Sequence, residues 1–144
     1  MNKSILALSV ALGVALTGMA QAADIIPVNF DDPGEGYNDP AVVAPVPGNP
    51  ATQLGLQRQL VAQFGADLWG AILQSDVPIY VGAQFKPLGT NVLGSAGTTQ
   101  AWVNHPNFPL PNTLYNAALS DALAGEDLDP GFTDISSRFS SQFN

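Results

Sequence analysis

The sequence predicts an α+β domain: a small mixed sheet with one long packed helix and a second, shorter helix. Three observations carry this. Apolar residues recur at helical spacing from Asn49 to Leu73, and a period-two alternation follows from Val77 to Phe85 after only Ser75 and Asp76. A second helical pattern, through Leu114 to Leu123, is then followed by a second alternation from Ile135 to Phe143. Helices and strands are thus interleaved in a chain short enough for one domain.

The chain divides into a leader at 1–22, a short strand and Pro/Gly-rich acidic loop at 23–50, and a helix-strand-loop-helix-strand unit at 51–144. Residues Met1 to Ala22 carry the parts of a secretory signal: Lys3, an apolar run from Ile5 to Leu16, and Ala20-Gln-Ala22 as a cleavage site. The apolar run is too short for a bilayer, which needs about 20 residues. The expected location is therefore secreted or periplasmic. The chain has no cysteine, which removes disulfides, thiolate chemistry and a lipoprotein attachment thiol.

Beyond the leader, Arg58, Lys86 and Arg138 stand against all 12 Asp and Glu, a formal charge of −9. Such a surface repels phosphate backbones and anionic lipid, so neither nucleic acid nor a membrane surface is an expected partner.

Ile26, Val28 and Phe30 alternate and predict a first strand, with Pro27 favouring an edge. Asp31 to Pro50 holds five Pro and three Gly in 20 residues, an irregular surface segment. Asp31, Asp32, Glu35 and Asp39 cluster there, and four carboxylates on a loop are candidate ligands for Ca²⁺. Their spacing does not match an EF-hand loop, and a solvated acidic loop is the competing reading.

Asn49 is an N-cap residue type, Pro50 suits a first helical position, and Thr52 is a second candidate cap. Leu54, Val61, Phe64, Leu68 and Ile72 then form an apolar stripe that Leu60, Trp69 and Leu73 widen. This predicts a helix with its large side chains buried, held by tertiary packing because Gly55, Gly65 and Gly70 each weaken it by about 1 kcal/mol. The strand that follows places Val77, Ile79, Val81, Ala83 and Phe85 on one face, with Pro78 at its start or on an edge.

Gly89 to Thr99 reads as a small-residue loop. Gly94-Ser-Ala-Gly97 lacks the Lys-Ser/Thr pair of a phosphate-binding loop, which leaves turn geometry. Gln100 to Asn104 predicts a short strand through Trp102, and the prolines at 106, 109 and 111 keep the next segment extended. Asn112 or Thr113 would cap the second helix, with Leu114, Tyr115, Ala118, Leu119, Ala122 and Leu123 on its apolar face and Gly125 just past its end. Asp127 and Asp129 fall in an acidic turn, and Ile135 to Phe143 predicts a terminal strand.

No catalytic constellation is complete. The single histidine, His105, cannot supply an H-E-x-x-H zinc motif, no G-x-S-x-G elbow accompanies it for a Ser-His-Asp triad, and no pair of acids is singled out for glycoside hydrolysis.

Several runs together resemble the amino-terminal part of secreted bacterial zincin-like, metalloprotease-type proteins, which often carry a protease-associated (PA) domain. They are Asp24 to Asp39 (Asp-Ile-Ile-Pro-Val-Asn-Phe-Asp-Asp-Pro-Gly-Glu-Gly-Tyr-Asn-Asp), Ala66 to Leu73 (Ala-Asp-Leu-Trp-Gly-Ala-Ile-Leu) and Ser75 to Val81 (Ser-Asp-Val-Pro-Ile-Tyr-Val). Leu93 to Gly97, Pro111 to Tyr115, Ala122 to Gly125 and Asp134 to Phe139 continue it in the same order. The resemblance implies the N-terminal half of a zincin fold, a sheet and a packed helix, with the zinc-binding helix further along the chain. No family zinc ligand or catalytic Glu maps onto this sequence, and no PA domain is included.

Two expectations follow. The first is an exported, non-catalytic segment of a peptidase-like protein, truncated before the zinc motif, with exposed apolar surface on the last strand and helix, where the missing C-terminal half or another protein partner packs. The second is a self-contained secreted binding module with a closed core, responsive to calcium through Asp31, Asp32, Glu35 and Asp39.

Overall fold

The computed structural model describes residues 22–143. The expected leader, Met1 to Ala22, lies outside them apart from Ala22. The described chain is α+β, as the interleaved periods predict. In chain order it runs β1 (Ile25–Asn29), a 3-10 turn (Gly36–Asn38), α1 (Leu54–Gly70), β2 (Ile79–Lys86), β3 (Gly94–Thr98), β4 (Ala101–Trp102), β5 (Tyr115–Asn116), α2 (Ala117–Ala124) and β6 (Ile135–Ser140).

Four strands form a mixed sheet in the order β1-β2-β6-β3. Strand β1 runs parallel to β2, β2 parallel to β6, and β3 antiparallel to β6. Both parallel pairings are joined through a helix, as parallel neighbours require. A separate two-stranded ribbon joins β4 to β5. Helix α1 lies against β1 and the 3-10 turn, while α2 lies against the ribbon. The face of β2 and β6 between them is left to the groove described below.

Helix α1 corrects the expectation about its packing. Its buried residues are Gly55, Ala66 and Gly70, not the large apolar stripe. A β-carbon on Gly55 would lie 2.5 Å from the Tyr37 carbonyl oxygen, and one on Gly70 2.5 Å from that of Ala23. These glycines let the helix backbone approach the turn and the chain before β1, a gain that offsets their low helix propensity. The large side chains on the other side stay open: Val61 and Phe64 are each 64% exposed, and Leu68 is 53% exposed. Ile72, which the apolar stripe included, lies past the helix end at Gly70.

The helix also begins later than Asn49. Gln53 occupies its N-cap without a side-chain bond. Asn49 is buried in the preceding loop, where its Nδ2 donates to the Gln57 carbonyl at 2.8 Å. The second helix likewise starts at Ala117, after Tyr115 has paired with Trp102 in the ribbon. Gly125 takes the left-handed conformation expected just past its end, with φ of 80°.

One further expectation is corrected in the sheet. Gly94 to Thr98 is the edge strand β3, formed by backbone pairing that its small side chains do not signal. The strand expected from Ile135 is present as β6, which ends at Ser140 and is flanked by β2 and β3. Pro78 precedes β2, so its missing N–H interrupts no ladder bond.

Among the described residues, the buried apolar ones are Ala23, Tyr37, Ala66, Val77, Ile79, Ala83, Tyr115 and Ala117. Half of these are alanine. The core is therefore thin, and the largest apolar side chains of α1 lie outside it.

Candidate functional site

The excluded side chains border a large groove. The side of α1 that carries Leu60, Val61, Phe64 and Trp69 faces the sheet surface formed by Ile79, Val81, Ala83 and Phe85 of β2 and Ile135 and Phe139 of β6. The space between them measures about 1170 Å³, and Ala118 of α2 also lines it. The alternation in β2 and β6 explains the sheet side: residues two apart share a face, so one set of apolar side chains points into the groove.

Toward the N-terminal end of α1 the groove is bounded by an aromatic cluster. Phe85 packs edge-on against Tyr37, with ring centroids 5.2 Å apart, and against Phe139 at 5.4 Å. The Arg58 guanidinium carbon sits 4.4 Å above the Phe85 ring, and Arg58 Nη1 donates to the Gly36 carbonyl at 2.8 Å. Burial and the nearby Asp31 carboxylate push the Tyr37 phenol above its ordinary value, with Arg58 acting in the opposite direction.

The acidic loop is built around protein partners. Asp31 is buried, its Oδ2 accepting the Tyr37 N–H at 2.8 Å and its Oδ1 accepting the Phe85 N–H at 2.7 Å. Asp39 accepts the Ala41 N–H at 2.9 Å and pairs with Arg58 at 3.4 Å. Glu35 pairs with Lys86 at 3.6 Å on the surface, while the Asp32 side chain is exposed. Gly36, with φ of 53°, lies where a β-carbon would run into the Asp31 carboxylate. Among the described residues, no group of three or more His, Cys, Asp and Glu side chains is placed to hold a metal ion.

His105 accepts the Asn107 N–H through Nδ1 at 3.3 Å and packs against Phe108, which in turn packs against Tyr115. Asp127 turns back on its own loop, accepting the Asp129 N–H at 2.9 Å.

Sequence reasoning identified the apolar stripe of α1 and the apolar face of β2 but assigned both to a closed core. It missed the buried pair Asp121 and Asp134, which face each other between α2 and the start of β6. Asp121 stands one turn beyond Ala117 on the buried side of α2, a placement that the apolar pattern of the helix did not disclose. Among the described residues, no helix is long and apolar enough to cross a membrane. Comparison with protein-family models, with curated proteins and with solved structures finds no match.

Proposed function

We propose that this chain is an exported, non-catalytic scaffold segment of a peptidase-like protein, whose groove seats a further folded segment of that protein. The observation that carries the reading is the open apolar groove between α1 and the β2–β6 face. An exposed apolar groove of this kind is a candidate interaction site. An apolar helix laid along α1 would cover Val61, Phe64 and Trp69 together. The peptidase-like part of the reading rests on the zincin-like resemblance of the sequence runs between Asp24 and Phe139. Export is inferred from the leader sequence, Met1 to Ala22.

The test has two parts. The DNA beyond codon 144 is read for a frame encoding H-E-x-x-H, and the encoded polypeptide is produced together with this chain. Recovery of a stable complex, with Trp69 emission shifted to the blue and loss of the complex on Phe64→Asp substitution, supports the reading. The absence of such a frame, with a monomeric chain that unfolds cooperatively and is stabilised by a small apolar ligand, overturns it in favour of a self-contained binding module.

A further inference from the structure

We propose that Asp121 and Asp134 share one proton and so form an acid-closed latch that fastens α2 to the β2–β6 strand pair. The two carboxyls are only 4% and 7% exposed. Asp121 Oδ1 accepts the Leu128 N–H at 3.1 Å, and Asp134 Oδ2 accepts the Tyr80 N–H at 2.7 Å. Both side chains line the same small buried cavity. An ionised carboxylate only accepts, so two carboxyls brought together there bond only when one of them holds a proton.

The surroundings supply no alternative source of positive charge. The small cavity beside the pair is lined also by Asp127 and Asp129 from the loop after α2, by Trp102 of β4 and by Thr99, with no Lys, Arg or His. Asp127 adds a further like charge. Burial, the bond to Asp134 and this acidic environment together raise the Asp121 acid to about 6.

The position of the pair determines what the proton holds. Asp134 exchanges two backbone-directed bonds with Tyr80 at the start of β2, and its carbonyl accepts the Thr99 N–H from the turn between β3 and β4. Asp121 ties α2 to this junction. An Asn at position 121 would give the same geometry without charge, so the acid pair adds a dependence on pH. Ala118, one turn before Asp121, lines the groove, so release of the latch frees a groove wall.

The sign is that of an acid whose folded-state value is raised. Stability is fully present below the unfolded value near 3.8 and is lost as pH rises through about 6. The loss corresponds to roughly a hundredfold fall in the folding equilibrium constant. Two measurements on the full chain test this. Carbon-13 NMR of the aspartate carboxyls should find Asp121 titrating near 6. Urea midpoints should fall across that pH window in the wild type, much less in Asp121→Asn, and as in the wild type in the exposed control Asp32→Asn, which accounts for general charge repulsion. An Asp121 carboxyl that titrates in the ordinary carboxylate range, or parallel pH profiles for the wild type and Asp121→Asn, overturns the latch. If Asp121→Asn does not fold, the wild-type NMR titration decides alone.

Discussion

The carboxylate of Asp31 accepts the backbone N–H of Phe85 at 2.7 Å, across 54 residues of sequence. The same side chain accepts the N–H of Tyr37. One buried acid thus joins the loop after β1 to the end of β2 and fixes the aromatic cluster at the end of the groove. Asp31→Ala strands both N–H groups and should cost roughly 2–4 kcal/mol in urea unfolding, and Asp31→Asn, which keeps one acceptor, should cost less.

The partnering of Asp31, Glu35 and Asp39 also bears on calcium. Asp32 alone of the four lies exposed without a carboxylate contact among the described residues. Millimolar calcium should therefore leave the unfolding midpoint unmoved. An upward shift would favour the calcium-responsive module, because a ligand that binds only the folded chain must stabilise it.

The glycines of α1 should separate by environment. Gly65 has open space where a β-carbon would go, so Gly65→Ala should stabilise the fold by up to about 1 kcal/mol through helix propensity. Gly55→Ala and Gly70→Ala push a methyl group into the backbones of Tyr37 and Ala23 and should lower the midpoint. Equal effects at the three sites would refute the close approach of α1.

The groove side of α1 should tolerate charge. Phe64 is 64% exposed, so Phe64→Asp should change the stability of the chain by less than about 1 kcal/mol. It should also abolish the fluorescence of an apolar dye bound in the groove. A large loss of stability would mean that Phe64 is part of a closed core.

Tyr37 should titrate late. Its phenol stands above the ordinary 10.0 through burial and Asp31. Stability tied to this group is therefore present below pH 10.0 and is lost as pH rises beyond it. Ultraviolet titration should show a phenol ionising after the ordinary range, and Asp31→Asn should bring it earlier.

Element type was legible wherever side-chain period carries it. The alternation of Ile79, Val81, Ala83 and Phe85 marks a strand face, and Gly125 marks a helix end, because each depends on local backbone geometry. The strand at Gly94 to Thr98 was not legible, since its pairing is made by backbone groups and its side chains carry no period.

What the sequence alone determined is that α1 has an apolar side and a side with small residues, and that the domain mixes helices with a sheet. Only the tertiary structure decided which side of α1 is packed. Close backbone approach at Gly55 and Gly70 turned the small residues inward, and Leu60, Val61, Phe64 and Trp69 came to line a groove. The same holds for Asp31, Asp121 and Asp134. Their spacing along the chain gives no sign of burial, because their partners are backbone N–H groups and another carboxyl brought close by the fold.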